Sequence, residues 1–311
     1  MAARVWLGAG LAALLLAGCA SPPTRDVGSS FCAARMERRA FPLSPPNPDQ
    51  ARAVAALGFT TEAAEIAEVI GALDAVEALI AAERRPPVGV NFLMARQAVT
   101  DRVLLATLDV NASLAAIDCE GERGDALRAQ LQRREDRRAR NLGLASILVG
   151  ATTAAVSGGI ALAGAGTADA IVGIVGGTAE ASIGGALLYG SASGRLRTRA
   201  NLIGEVWRSP DQSALFPPTV WRYLTRRDAP GAPSIAEEIV AGWREAGLVR
   251  DDDMLFEGEG VFTIADLERR DAMLDLLEAR IALMSRDLRV LLEEVVARMP
   301  PAPRNRSPRL R

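Results

Sequence analysis

The chain has 311 residues and a formal net charge of −2, with an apolar share of 49% and an aromatic share of only 4%. It contains no histidine, and arginine supplies all 36 basic residues. The near-neutral charge argues against a nucleic-acid partner, and the missing histidine removes the commonest general base and metal ligand. The composition therefore predicts packed helices without a metal site or a cofactor.

The first 18 residues are predicted to be a secretory signal peptide, because Arg4 is followed by an apolar run and small residues. Their end, Leu16-Ala17-Gly18-Cys19, resembles the lipobox of bacterial lipoproteins. The resemblance implies cleavage before Cys19 and acylation of its sulfur and new amino terminus, which anchors the protein in a membrane. Ala20 after the cysteine implies outer-membrane delivery, with most of the chain in the periplasm. An ordinary signal peptide with a chance cysteine is the alternative.

Two further cysteines, Cys32 and Cys119, would then lie in an oxidising compartment. A disulfide between them would close a loop of nearly ninety residues. In the chain-entropy model such a loop adds about 4–5 kcal/mol of stability. Two free thiols are the alternative.

Residues 19–48 carry six of the 17 prolines and are predicted to be a lipid-anchored tether. A helical domain is predicted over 49–209. In its first part, 49–84, a helix breaks near Gly58, and Thr60 or Thr61 caps the next piece. A further helix is predicted from about 91 to 118, with one apolar side formed by Phe92, Val99, Val103, Val110 and Ile117.

An antiparallel helical hairpin is predicted over 124–207, with its turn at Gly164–Thr167 and a returning helix from Ala168 to Trp207. Small residues recur at every fourth position of both arms, which lets two helix backbones approach closely. They are Ala151, Ala155 and Gly159 on the outgoing arm, and Gly173, Gly177, Ala181 and Gly185 on the returning arm. This pattern is similar to that of glycine-zipper lipoproteins of the bacterial envelope.

Arginines flank the apolar part of this hairpin, residues 142–192, and would lie together at one end. They are Arg137, Arg138 and Arg140 on the outgoing side, and Arg195, Arg197 and Arg199 on the returning side. There they could contact anionic headgroups while the apolar part enters a bilayer. Glu180 opposes insertion, because a central carboxylate costs about 3 kcal/mol against roughly 3.5 kcal/mol gained from the apolar side chains of the returning arm. Membrane insertion and packing in a soluble or self-associated bundle remain open alternatives.

An aromatic-rich subdomain followed by a coiled-coil helix is predicted over 210–299. Ser234 and Glu237 have the spacing of a capping box at the start of a short helix. The stretch "MLFEGEGVFT" predicts a small β-hairpin around Glu257–Gly260.

Thr263 is predicted to cap a long helix from Ile264 to about Met299. Its apolar positions alternate by three and four, which predicts a coiled-coil seam against another helix. These positions are Leu274, Leu277, Ile281, Met284, Leu288, Leu291 and Val295. Residues 300–311 are predicted to be a disordered basic tail.

No catalytic motif is complete in the sequence. "GSASG" lacks the central serine of a nucleophile elbow, and "GAGTAD" lacks the third glycine of a dinucleotide fingerprint. The expected fold is mainly α: an elongated helical bundle with a long Gly/Ala-rich antiparallel helical hairpin and a C-terminal coiled-coil helix.

The predicted function is that of a non-enzymatic outer-membrane lipoprotein, a periplasmic scaffold that self-associates or binds an envelope protein through its hairpin and heptad seam. The alternative is a pore or translocation-channel component that inserts residues 142–192 into a membrane.

Overall fold

The computed structural model describes residues 43–85, 89–162, 191–198, 200–229, 231–250 and 254–298. The mainly α fold expected from the sequence is confirmed, because this part of the chain forms eight α-helices and one two-stranded sheet. In chain order the elements are α1 Pro48–Ala56, α2 Thr61–Val69, α3 Leu73–Glu83, α4 Val90–Leu162, β1 Ser193–Arg197, α5 Leu202–Arg208, α6 Pro218–Thr225, α7 Ile235–Glu245, a 3₁₀ turn Met254–Phe256, β2 Glu259–Thr263 and α8 Ile264–Ala297.

The predicted helix starts are confirmed where a side chain caps the backbone. Thr60 accepts a hydrogen bond from the N–H of Ala63 at 3.2 Å and so begins α2. Ser234 and Glu237 form the capping box of α7, and Thr263 caps α8. Each cap satisfies an N–H group that a helix start leaves without an intrahelical partner.

One helix, α4, replaces the two that the sequence predicts between 91 and 163. It has 73 residues and would measure about 110 Å as a straight helix. The predicted break near residues 118–124 is wrong, although Gly121 and Gly124 weaken helix propensity there. A Cβ on Gly121 would lie 3.7 Å from Oδ1 of Asp271, and one on Gly124 would lie 3.9 Å from Nη1 of Arg270. Packing against α8 therefore keeps the helix continuous.

The core lies where α8 packs against α4 and α2. All seven heptad positions of α8, from Leu274 to Val295, are buried in it. The indole N–H of Trp243 on α7 adds a hydrogen bond of 3.1 Å to the carbonyl oxygen of Met273. This seam is filled by helices of the same chain, so its residues are not exposed for pairing with a second copy.

The small sheet corrects two predictions. Residues Ser193–Arg197 are strand β1, so the returning helix predicted to reach Trp207 is wrong over this range. Its partner is β2, Glu259–Thr263, in antiparallel register, with Ser193 opposite Thr263. The hairpin predicted around Glu257–Gly260 is also wrong, because Met254–Phe256 form a 3₁₀ turn instead of a first strand.

A single hydrophobic core includes buried residues from both sides of residue 210. Ile66 and Leu79 belong to it together with Trp221 and Trp243. Aromatic stacking adds to this core, with ring centroids 4.2 Å apart for Trp207 and Phe256. The described helices therefore form one packed body.

Candidate functional site

The chain leaves this body along α4 and returns beside it. The backbone N–H of Ala192 donates to Oε1 of Glu135 at 2.8 Å, so the two ends of residues 136–191 meet. Leu131 is the last fully buried side chain described on α4, and residues 136–141 are exposed. Beyond Glu135 the helix continues to Leu162, which corresponds to about 40 Å. We call residues 136–191 the arm.

Strand β1 holds the returning end of the arm against α4. A Cβ on Gly194 would lie 2.7 Å from Cδ1 of Leu127 and 3.3 Å from Cδ2 of Leu131, so glycine allows this close approach. Leu196, two residues on, is buried. The arm therefore starts and ends on a rigid part of the body.

The arginines predicted to contact lipid headgroups, as far as the structure describes them, lie near the two ends of the arm. Arg137, Arg138 and Arg140 are exposed at the start of the arm. Arg195 and Arg197 project from β1 and pair with Glu259 on β2, at nitrogen–oxygen distances of 3.6 and 2.9 Å. Exposed ion pairs of this kind contribute about 1 kcal/mol or less. Headgroup binding stays a prediction.

Several other predicted site residues lie outside the described residues. These are Cys19, Cys32, Gly173, Gly177, Ala181, Gly185 and Arg199. Ala151, Ala155 and Gly159 fall in the last part of α4. Cys119 is buried on α4, and its disulfide with Cys32 stays a prediction.

A groove between α4 and α8 is lined mainly by acidic side chains. Six carboxylates line it, three from each helix: Asp118, Glu122, Asp125, Asp271, Asp275 and Glu278. The lining is completed by Ile117, Gly121 and Leu274. The groove has a volume of about 260 Å³. One cation reaches its edge, because Arg128 pairs with Asp125 and lies 3.6 Å from Oδ2 of Asp271. We call this feature the acidic groove.

The carboxylates of the groove repel one another. Burial, followed by the charges of Asp125 and Asp275, raises the pKa of Asp271. Burial and the charges of Asp118 and Asp275 raise the pKa of Glu278 in the same direction. These neighbouring charges therefore favour the protonated forms of Asp271 and Glu278, in the same direction as burial.

We expect Asp275→Asn to raise the free energy of unfolding at pH 7 by about 0.5 kcal/mol, because it removes a like charge four residues after Asp271. A carboxyl whose pKa is raised by folding stabilises the protein below its unfolded pKa, and this contribution is lost as the pH rises through the folded pKa. The advantage of the variant should therefore fade as the pH falls towards about 4. Urea unfolding at low ionic strength, at pH 7 and at about pH 4, measures the gain in stability and its loss at the lower pH.

Glu293→Gln is the matched control for this change, because Glu293 lies on the same helix but faces an arginine. Its carboxylate is 3.5 Å from Nε of Arg289, and both side chains are exposed. We expect no gain in stability from this control. A variant Asp275→Asn that is no more stable than the wild type at pH 7 would contradict the repulsion.

A buried ion pair lies directly behind the groove. Nη2 of Arg270 is 2.6 Å from Oε2 of Glu120, and each side chain is only 3% exposed. Nη1 of Arg270 also donates to the backbone oxygen of Glu120 at 3.0 Å, and Arg123 contacts the other carboxylate oxygen at 2.5 Å. Burial lowers the pKa of Arg270, and the charge of Glu120 counteracts this. The pair links α4 to α8 beside the carboxylates.

A second polar cluster lies between α2, α6 and α8. The hydroxyl of Tyr223 donates to Oδ2 of buried Asp287 at 3.3 Å. Burial and the charge of Asp287 raise the pKa of Tyr223 to about 12. Burial and a hydrogen bond with Glu62 raise the pKa of Asp287. Tyr223 therefore keeps its proton at neutral pH. Its hydrogen bond with Asp287 connects α6 to α8.

The spacing of the groove carboxylates is a signal that the sequence carries. Both helices carry acids at intervals of four and then three residues, the spacing that places side chains on one helical face. Within the described ranges, no group of three or more Asp, Glu, Cys or His side chains is arranged to hold a metal ion.

Among the residues that the structure describes, no helix combines the length and the apolar character needed to cross a membrane. Comparison of the chain with protein-family models, with curated proteins and with solved structures gave no significant match.

Proposed function

We propose that this chain is a non-enzymatic scaffold of the bacterial envelope, anchored in the outer membrane by lipid on Cys19. In this role the packed body is a base, and the arm reaches an envelope partner or a second copy. The observation that carries the proposal is the contact between Ala192 and Glu135 at 2.8 Å, which closes the arm at its base. The 56 residues 136–191 begin and end at one point of the body, and we infer that this segment carries a binding element.

A second candidate role, insertion of the arm into a membrane, is favoured by the surface at its start. Leu144 and Ile147 are 56% and 68% exposed, a few residues after the arginines 137, 138 and 140. Large exposed apolar side chains next to cations fit an interface with anionic lipid. In this role several arms would assemble, because Glu180 needs a polar partner inside a bilayer.

Flotation with phospholipid vesicles separates the two roles. The form that starts at Ala20 lacks acyl chains, so it can rise with vesicles only through its protein surface. The scaffold role predicts that this form stays at the bottom of the gradient as a discrete oligomer. Gly177→Leu places a bulky side chain on the predicted small-residue face of the arm. In the scaffold role it should alter the size of the oligomer and leave the position of the protein in the gradient unchanged.

Gly242→Leu is the control, because this glycine lies in α7 of the body and has open space around it. Flotation that Gly177→Leu abolishes and Gly242→Leu preserves would overturn the scaffold role in favour of insertion. A monomer that neither floats nor associates would contradict insertion and self-association, so the scaffold role would then require an envelope protein as the partner.

A further inference from the structure

An uncovered apolar surface runs along the first part of α4. Five large side chains are well exposed there: Val90 69%, Leu93 60%, Met94 66%, Leu104 57% and Leu108 56%. The core side of the same helix is formed by other residues, among them Phe92, Val99 and Val103, which are buried. The helix thus has two apolar faces, and the body covers only one of them.

These exposed residues share one face of α4. At about 100° per residue they fall within a sector of roughly 100°, which spans five turns and about 28 Å. Two polar residues, Gln97 and Asp101, lie in the middle of the same sector. The Nε2 group of Gln97 donates to Oδ1 of Asp101 at 2.6 Å. We call residues 90–108 on this side the α4 face.

The α4 face has nearly the same pattern when it is read in either direction from residue 99. Antiparallel pairing of two copies about this point would place apolar residues against apolar residues at both ends, and an amide against a carboxylate in the middle. The facing pairs are Val90 with Leu108, Met94 with Leu104 and Gln97 with Asp101, and half-buried Leu105 lies opposite Leu93 at the edge of the face. Such self-complementarity is what a two-fold symmetric interface requires.

We propose that the α4 face is a homodimer interface in which two copies of α4 pair antiparallel across a two-fold axis near residue 99. The proposal adds a second copy to the proposed scaffold role through a face of the body instead of the arm, and its biological meaning rests on that role. Each of the five apolar side chains exposes on the order of 100 Å², so the pair would bury about 1,000 Å² in total, near the lower limit for a specific interface. The dimer is therefore weak and depends on concentration.

The polar centre of the face selects both the occupant and the orientation. A lipid tail covering the face would leave the Asp101 carboxylate without a new hydrogen-bond partner in an apolar surrounding. A parallel pair would place Asp101 opposite its own copy, with two like charges in contact. Only the antiparallel pair presents Asp101 of each copy with the amide of Gln97 from the other.

Disulfide cross-linking of the full chain in cells tests this register. One tagged copy carries Met94→Cys and a differently tagged copy carries Leu104→Cys. In the antiparallel pair these positions face each other, whereas two copies of the same variant keep their new thiols about 15 Å apart. We expect a cross-linked species that contains both tags. Two tagged wild-type copies, which have only the native cysteines, should not give this species. Equal cross-linking within each variant alone, or none in the mixture, would overturn the proposal.

A charge placed on the interface supplies the control. Leu108→Glu in both copies should reduce the cross-link at least tenfold, because it faces Val90 of the other copy. Leu283→Glu should leave it unchanged, since Leu283 is also an exposed leucine but lies on α8. A cross-link that survives Leu108→Glu would overturn the interface. An α4 dimer would also be seen as an oligomer, so the arm is tested by the effect of Gly177→Leu and the α4 face by the effect of Leu108→Glu. Because neither variant lies in the other surface, either proposal can fail without the other.

Discussion

Replacing Glu120 by glutamine is expected to lower the free energy of unfolding by about 3–5 kcal/mol. The substitution keeps the shape of the side chain and removes only its charge. Arg270, 3% exposed and 2.6 Å from the carboxylate, then remains buried without its anionic partner. Arginine does not lose its proton in proteins, so the protein cannot neutralise the site. Urea unfolding of the variant and the wild type at pH 7 measures the difference.

Glu238→Gln is the matched control, because it removes the same charge from a pair between α7 and α8 that is open to water. Its carboxylate lies 3.4 Å from Nη1 of Arg280, and both side chains are more than 40% exposed. We expect a loss of about 0.5 kcal/mol or less from this change. A similar small loss for Glu120→Gln would contradict a structural role of the buried pair.

The double variant Glu120→Gln with Arg270→Met separates the pair from its parts. Removing both charges should recover most of the stability that Glu120→Gln loses, since a buried ion pair gains little over an apolar contact once both charges are gone. The pair would then act mainly by fixing how α4 and α8 align. Failure to recover would mean that the contact of Arg270 with the backbone of Glu120 at 3.0 Å matters more than the charge.

Local signals in the sequence predicted the helix starts well. Thr60, Ser234 and Thr263 each cap a helix in the structure. A cap depends on residues no more than three positions apart, so the chain around it decides the outcome. The heptad spacing of α8 was likewise sufficient to identify its buried face.

Contacts between distant residues explain the errors. The five residues of β1 pair with a strand more than sixty positions later, and the isolated stretch gives too little signal to separate a strand from the end of a helix. Where α4 stays helical at Gly121 and Gly124, these glycines lie close to Asp271 and Arg270 of α8. No property of the segment around those two glycines predicts this contact.

The acidic groove and the α4 face also differ in how far the sequence could predict them. The acidic groove was readable in principle, because its carboxylates have the same spacing on both helices. The α4 face was not, because an apolar stripe in a sequence does not say whether the body covers it. Leu104 and Val103 are neighbours with similar side chains, yet only Val103 is buried. Exposure of Leu104 follows from where α3 and α8 pack on the helix.

Replacing Gly204 by alanine is expected to lower the free energy of unfolding by about 2–3 kcal/mol. A Cβ at this position of α5 would lie 2.5 Å from the backbone oxygen of Phe256, which cannot move as a side chain can. The displaced turn is also held by Asn201, whose amide donates to Leu255 and Glu257 oxygens at 2.9 and 2.7 Å. Because that turn leads into β2, the change should loosen the pairing of β2 with β1, the strand that holds the returning end of the arm.

Gly242→Ala is the control, because it is expected to raise the free energy of unfolding instead of lowering it. Gly242 lies inside α7 with no atom within 4 Å of its added Cβ. There alanine only improves helix propensity, so we expect a gain of up to about 1 kcal/mol. Hydrogen exchange of the amides of β1 should quicken in Gly204→Ala and not in Gly242→Ala. If both variants gain stability, the turn at Phe256 is free to shift and does not fix the base of the arm.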